Sequence, residues 1–489
     1  MISQFYKKLF QNLNSNNIFY TYYEKNYLYT DLKKFFHRFC NVISFLQKKN
    51  NKICILSEKS FELYAASLSI ILTNNTWIPI SNSSPENRIY NIIDRVKPDL
   101  FIIQSLNTLK SLKIKNYLKK KGINLITYDE INYAKEISKY EPQQFQKNDI
   151  AMIFFTSGST GNPKGVKITH GSYIYSLMQQ IKNLYSSKEK LIFGDYHDIS
   201  FVISLNILFP CFYLKSTISP AIEIKDILFP VNHAVENNIN TLVTVPTLIN
   251  KIRNYYKKIS KKFRLKNLIL CGEPFFVETL EYLIKKKISK NLFNCYGSTE
   301  LSPWVFFHKI NQKKISFYKK NHLVPVGNPF KNVKIKVLNE ILYIGGPTLS
   351  AGYLEEEQNK YSFKILKFIK YYITNDIVEK KSNLFFIKGR NDNVIKIQGH
   401  RVELLEIENI LRSFKKLRNC FVFTKEISSY DKIICAAIEA SNVKVNKIEN
   451  YLKKYLPNYM IPKNIQIFKK FPLNRSNKID KIRIKSQFN

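Results

Sequence analysis

Glycine is scarce in this chain, 14 of 489 residues, yet three fall within eight positions of one run. That run is Thr156-Ser157-Gly158-Ser159-Thr160-Gly161-Asn162-Pro163-Lys164-Gly165, placed directly after the apolar segment AMIFF. Hydroxyls and glycine backbone N–H groups, unobstructed by side chains, can wrap the oxygens of a polyphosphate, and Lys164 can add a point charge. The spacing is not that of a Walker A loop, because Lys164 follows Pro163 and is itself followed by Gly165 instead of Ser or Thr. A plain solvated turn would not need hydroxyls, glycines and a lysine in this order. The run points to chemistry on a phosphate-bearing substrate.

Further motifs follow in the order Asn294-Cys295-Tyr296-Gly297-Ser298-Thr299-Glu300, Tyr372-Ile373-Thr374-Asn375-Asp376, GRNDNVIKIQGHRVELLEIE (389–408), LPNYMIP (456–462) and PLNRSNKIDK (472–481). With TSGSTGNPKGVKITH these make six motifs in register, and YLYTDL (27–32) and WIPISNSSPENRI (77–89) add weaker matches in the N-terminal third. Together they resemble the adenylate-forming superfamily, which includes acyl-CoA synthetases, the adenylation domains of nonribosomal peptide synthetases and D-alanine–carrier-protein ligases. The resemblance covers nearly the whole chain.

That resemblance implies a two-step reaction that uses ATP and Mg²⁺. In the first step a carboxylate attacks the α-phosphorus of ATP and expels pyrophosphate, which requires positioning two anions and neutralising charge on the transferring group. By the matching motifs, Thr156, Ser157, Gly158, Ser159, Thr160, Gly161 and Lys164 would cradle the phosphates. Tyr296 would stack on adenine, Thr299 would bond the α-phosphate and Glu300 would hold Mg²⁺. Asp376 would accept both ribose hydroxyls, since a carboxylate can take two hydrogen bonds at once, and Arg390 would reach the ribose as well. Lys478 would touch the substrate carboxylate and the α-phosphate together. Any one of 66 lysines is by default a solvated charge; the context Pro472-Leu473…Lys478-Ile479-Asp480 singles this one out. Two departures stand out: Ile373 and Asn375 replace an Arg and a Gly, and Ser476-Asn477 replaces Asn-Gly. Asn tolerates a left-handed backbone, so the turn before Asp376 can survive.

In the second step the acyl group passes to a thiol and AMP leaves. The family scheme has the small domain turn about Asp392, withdrawing Lys478 and inserting the loop around Lys396–Gly399. For the acid itself, His197-Asp198-Ile199-Ser200-Phe201 resembles the segment where amino-acid-activating members carry an Asp for the α-ammonium. A buried carboxylate without such a cation is costly; the competing reading is an Asp that caps a helix starting at Ser200. By the same carry-over Val202, Ile269, Cys271, Cys295, Pro303 and Trp304 would line the pocket, and Trp304 would leave room only for a small side chain such as alanine. No carrier-protein segment follows Asn489, so the expected acceptor is the phosphopantetheine arm of a separate carrier protein, with free coenzyme A as the alternative. The expected substrate is thus a small amino acid, or otherwise a small carboxylic acid.

These residues need a scaffold. Short apolar runs rich in β-branched residues, NKICILSE (51–58), DLFIIQS (99–105), DIAMIFFTSGS (149–159), TLVTVPT (241–247) and NLILCGE (267–273), alternate with amphipathic stretches. The pattern predicts an α/β protein of parallel sheets flanked by helices. From about Val333 shorter alternating segments, KIKVLNEILYIGG, predict a small antiparallel, barrel-like group. ELLEIENILRSF and VNKIENYLKKYL predict two helices in a small α+β C-terminal domain, which the resemblance implies is mobile. The expected division is 1–390 for ATP and substrate binding and 391–489 for the domain that carries the catalytic lysine.

Composition agrees with a compact enzyme, 45% hydrophobic and 14% aromatic residues. The 77 Lys+Arg against 37 Asp+Glu, a formal charge of +40, raises a nucleic-acid or other polyanion partner as a non-catalytic alternative. Only 11 of the 77 are Arg, and the lysines spread evenly alongside heavy Asn and Ile use, whereas a binding stripe would cluster. No nucleic-acid partner is therefore expected; a positive field would instead help recruit ATP and an acidic carrier protein. Seven scattered cysteines without metal-ligand spacing read as free buried thiols. No signal peptide is visible, and the longest uncharged apolar run, Phe201 to Leu214, is too short and too interrupted to span a bilayer. The expectation is a cytoplasmic protein.

Overall fold

A computed structural model describes residues 2–488 apart from positions 47–49, 141–143, 159–162, 186–189, 256–262, 393, 398, 415, 429–430, 442 and 473–478. The chain forms two compact units. The first comprises 1–82, 96–155 and 165–391, and the second 83–95, 156–164 and 392–489.

The first unit is α/β. Among the described residues one sheet orders Gly352–Tyr353, Lys164–Thr169, Ile150–Thr156, Thr76–Ser81, Lys52–Ser57, Leu100–Ile103 and Asn124–Thr127. Its inner strands pair in parallel, with Lys52–Ser57 in register with Thr76–Ser81 on one side and Leu100–Ile103 on the other. Ile53 through Ser57 are all buried, as expected of a parallel strand covered on both faces. The following helix, Phe61–Leu72, is buried along all its length but for Glu62. Ser60 caps it by accepting from the Leu63 N–H. Ser67 and Ser69 give their hydroxyl protons to the carbonyls of Leu63 and Ala65, so two polar side chains enter the core with their donors satisfied.

A second sheet of nine strands places Trp304–Lys309, Ser289–Gly297, Leu265–Cys271, Thr241–Thr244, Ile192–Asp195 and Thr217–Pro220 side by side. A third sheet is antiparallel: Lys334–Leu338, Ile341–Gly345, Ile369–Lys381 and Phe363–Leu366 in order, with Leu384–Arg390 also on Ile369–Lys381. One continuous apolar core joins residues of all three sheets, among them Ile55, Trp77, Phe193, Ile269, Phe293, Leu342 and Tyr372.

The second unit holds the hairpin Val394–Ile397 with His400–Glu403, the helices Leu404–Arg412 and Val445–Leu452, and a sheet of Leu417–Ser428, Asp431–Ala440 and Asn464–Phe468. Ile407, Leu411, Val422, Ile438, Ile448 and Leu452 build its own core. All seven cysteines are buried and unbridged. Among the described residues no helix is long and apolar enough to cross a membrane.

Candidate active site

In open parallel sheets, ligands bind beyond the carboxyl ends of the strands. Strand Ser289–Gly297 of the nine-stranded sheet ends on Tyr296-Gly297, and the chain then makes a single 3-10 turn, Thr299–Leu301, closed by Ser302 in the left-handed region at φ 59°. Gly297 is required by packing: a Cβ there would lie 1.9 Å from the Pro303 carbonyl oxygen. The next strand therefore folds back directly against the end of this one, and the Ser-Thr-Glu turn is fixed at the sheet's edge.

Tyr296 is buried and donates its hydroxyl to Asp376 Oδ2 at 2.5 Å. Arg390 grips the other oxygen, Oδ1, at 2.7 Å. Asp376 and Arg390 are register partners on the antiparallel strands Ile369–Lys381 and Leu384–Arg390, so the pairing follows from strand alignment. The Thr374 hydroxyl accepts from the Asp376 N–H at 3.0 Å and donates to the Leu342 carbonyl, fixing the backbone before the carboxylate. Asn375 takes φ 57°, so it does adopt the left-handed turn that glycine would. Burial, reinforced by the neighbouring Asp376 carboxylate, pushes the Tyr296 phenol well above its ordinary range, so Tyr296 remains a hydrogen-bond donor.

Glu300 is fully buried. Its Oε1 accepts from the Tyr353 hydroxyl at 2.6 Å, and its backbone carbonyl accepts from the Ser350 N–H. The adjacent Ser298 hydroxyl is buried with no hydrogen-bond partner. An oriented carboxylate beside an unsatisfied hydroxyl suits a hydrated divalent cation and a phosphate oxygen. Among the described residues no group of three or more His, Cys, Asp or Glu is assembled for a metal. A cation here would thus share one protein carboxylate with substrate oxygens and water, as Mg²⁺ commonly does.

Of the residues expected to contact the acid, Cys271, Cys295 and Trp304 are buried and Val202 is half-buried. Cys271 and Cys295 are register partners on adjacent parallel strands, and the Cys271 thiol faces the Thr244 carbonyl at 3.8 Å. Asp198 is half-buried and accepts from the Ser200 N–H (2.9 Å), the Ser200 hydroxyl (2.7 Å) and the Ser81 hydroxyl (2.6 Å). Three donors compensate its charge without a cation. Its role in the fold is to close the turn leading into the 3-10 segment Val202–Ser204, which begins two residues later than a helix starting at Ser200. One helical turn beyond Val202, Asn206 is wholly buried, and neither its amide nitrogen nor its oxygen has a partner. Nothing in the sequence marked this residue.

Of the glycine-rich run, Thr156, Ser157, Gly158, Pro163 and Lys164 belong to the second unit. There the Ser157 hydroxyl donates to the Arg401 carbonyl at 2.8 Å, and the Gly158 N–H donates to Glu406 Oε2 at 3.0 Å. Glu406 Oε1 also meets Arg88 at 2.8 Å. Lys164 lies 3.1 Å from Glu403, whose carboxyl burial raises against the opposing pull of Lys164 and Arg401. The Thr156 hydroxyl is buried with no partner. Ser159, Thr160, Gly161 and Lys478 lie outside the described residues. Asp392 begins the second unit's last segment and accepts from the Val394 N–H at 3.3 Å. Gly399 has φ 83°, and His400 stacks on Tyr459 at 3.9 Å. Glu403 and Glu406 stand inside the quoted string ELLEIE, but acids at a helix start are ordinary complements of the helix dipole, which hid their bonds to the loop.

Comparison with known proteins gives a consistent result. The family model "AMP-binding enzyme" matches residues 11–354, and the model of the AMP-binding enzyme C-terminal domain matches 406–478. The chain is 27% identical over 452 residues to the D-alanine--D-alanyl carrier protein ligase of Staphylococcus epidermidis, covering 90% of each. It is 26% identical to that of Staphylococcus aureus, covering 91% of each. Among solved structures, the Vibrio cholerae adenylation domain AlmE in complex with glycyl-adenosine-5'-phosphate superposes with a TM-score of 0.83 at 19% identity, covering 99% of this chain and 98% of the other. The o-succinylbenzoate CoA synthetase of Bacillus subtilis does so at 0.83 and 19%, covering 98% of each. These two likenesses establish the fold.

Proposed function

This chain belongs to the AMP-binding enzyme family, and from that premise we propose that it activates a small amino acid with ATP and passes the aminoacyl group to the phosphopantetheine thiol of a separate carrier protein. The observation that carries this reading is the buried Tyr296–Asp376–Arg390 clamp. Both Asp376 oxygens are held in fixed directions, as an acceptor for a ribose diol must be. Tyr296 would present its ring to adenine, and Thr299 with Ser298 would bond the α-phosphate. Glu300 would hold Mg²⁺, which would neutralise charge on the phosphates. Lys478 would draw the incoming carboxylate and the α-phosphate together, so that the carboxylate oxygen bonds to phosphorus as pyrophosphate leaves. The segment from Asp392 onward would then turn about that residue for thiol transfer.

The amino-acid choice draws on the relatives named for D-alanyl carrier protein ligation, at 27% identity over 90% of the chain. One observation favours a second reading, a small-acid CoA ligase: Asp198 is already satisfied by Ser81 and Ser200. ATP–pyrophosphate exchange with purified protein and a panel of amino and short carboxylic acids separates the two. Exchange with alanine or glycine is expected; exchange only with acids lacking an amino group selects the second reading, and exchange with neither refutes both. Lys478→Ala should lower exchange by about 10²-fold or more while leaving transfer from supplied acyl-adenylate. Equal loss of both steps would contradict the lysine's assignment to the first alone.

A further inference from the structure

The antiparallel sheet of the first unit has three two-residue hairpin turns whose central residues are both left-handed. Two use the pairs Asn339-Glu340 (φ 49° and 63°) and Ser382-Asn383 (48° and 60°). The third, between Phe363–Leu366 and Ile369–Lys381, uses Lys367 at φ 47° and Phe368 at φ 64°. Turns of this kind favour Asn-Gly, and a bulky side chain at positive φ is strained. Phe368 is also completely exposed, with Ile365 at 72% and Tyr361 at 77%. Strain combined with a bare aromatic ring at a turn tip gives the fold nothing, which directs attention to what the ring meets.

The hairpin itself is basic: positions 363–375 contain Lys364, Lys367 and Lys370 and no acidic residue, while Glu355, Glu356 and Glu357 stand before it at the start of the preceding helix. Lys364 is in register with Tyr371 and Ile365 with Lys370, so lysines flank the apolar residues on both strands of the hairpin. Lys370 lies with its ammonium over the Phe363 ring at 4.4 Å. Protein interfaces deplete lysine and bury their aromatics in pockets, whereas an anionic lipid surface takes apolar side chains at the acyl boundary and ammonium groups among its headgroup phosphates.

We propose that the Lys367-Phe368 hairpin is a peripheral docking tip for an anionic membrane surface, with Phe368 and Ile365 entering the interface and Lys364, Lys367 and Lys370 meeting lipid phosphates. The test is sedimentation of the full-length protein with vesicles of phosphatidylcholine plus phosphatidylglycerol, and with phosphatidylcholine alone. Binding is expected to the anionic vesicles, to be weak on the neutral ones, and to fall with added salt. Phe368→Gly should weaken binding about tenfold while the melting temperature holds or rises, because glycine removes the left-handed strain. Joint replacement of Lys364, Lys367 and Lys370 by Gln should weaken it roughly 100-fold, at about fivefold per charge. ATP–pyrophosphate exchange should be unchanged in both variants, so the docking result stands apart from the enzymatic one. The proposal is overturned if anionic vesicles do not bind the protein. It is equally overturned if Phe368→Gly binds them as tightly as the parent, or if joint Gln replacement of Lys115, Lys119 and Lys120 weakens binding as much as the hairpin triple does, since diffuse charge would then explain it. Loss of self-association or of carrier-protein binding in Phe368→Gly, with vesicle binding intact, would assign the tip to a protein partner and also overturn it.

Discussion

The Tyr296–Asp376–Arg390 clamp lends itself to a double-mutant cycle. Tyr296→Phe keeps the ring and removes the proton donated at 2.5 Å to a buried carboxylate; a hydrogen bond to a charged group of this kind contributes ~1.5–3 kcal/mol. Asp376→Asn keeps the shape but removes the Asp376 charge from Arg390, whose side chain is 16% exposed. Breaking a buried ion pair from one side costs ~3–5 kcal/mol, and the remaining access to water favours the lower end, about 3. In the Asp376→Asn background, Tyr296 donates to an ordinary neutral amide oxygen, a bond worth ~1 kcal/mol, so its later removal costs less than in the parent. The double variant should therefore fall short of the sum of the singles by about 0.5–2 kcal/mol. Urea unfolding at constant pH measures all four corners, and KM for ATP in the exchange assay follows the same cycle at the site. Additivity within ~0.5 kcal/mol would refute the claim that the carboxylate mediates between phenol and guanidinium. A rise in KM for Asp376→Asn no larger than that of a surface substitution would remove Asp376 from nucleotide binding.

Gly297→Ala places a Cβ 1.9 Å from a backbone oxygen, so the strand end must shift; a loss of at least ~2 kcal/mol is expected, read by thermal melting, together with a large fall in exchange. An unchanged melt would show that the strand turn has slack. His170 is buried and held at about 4 instead of the ordinary 6.5, because burial outweighs the attraction of Asp149. The unfolded chain then binds the extra proton between pH 6.5 and 4, so stability is intact above this window and is lost as pH falls through it, by ~3 kcal/mol from this one ring. Urea unfolding at stepped pH should show that slope, and His170→Gln should reduce it by that share, since His197 and His308 are likewise lowered by burial to about 4.

The runs NKICILSE, DLFIIQS, DIAMIFFTSGS, TLVTVPT and NLILCGE each became a strand, because a covered parallel strand leaves an uninterrupted apolar signature. The two expected C-terminal helices formed as Leu404–Arg412 and Val445–Leu452. Local chemistry was legible too: Asn375 could be assigned a left-handed turn from its residue type alone. Pairings that depend on tertiary geometry were not. Arg88 meets Glu406 across 318 positions, and no spacing rule reaches that far. In sequence Tyr353 is an ordinary core tyrosine; only the tertiary fold brings its hydroxyl to Glu300. Asp198 could be read as a cap or as an ammonium partner, and the hydrogen bond it accepts from Ser81, on a strand more than 100 residues earlier, lies beyond any local spacing. Asn206 is an ordinary residue of an apolar helix in sequence; only the loss of both amide partners sets it apart.

The seven buried thiols turn the protein into its own labelling probe. Cys54 is pushed by burial beyond the range of working pH, and Cys211 and Cys295 are raised well above their ordinary values. An alkylating reagent needs the thiolate, so it meets these sulfurs chiefly after the chain around them opens. Cys40, Cys54, Cys211, Cys271 and Cys295 belong to the first compact unit, and Cys420 and Cys435 to the second. Mass shifts after a brief alkylating pulse would then separate into multiples that belong to one unit or the other. A mass spectrum taken across a denaturant series would time the opening of each unit without any engineered reporter.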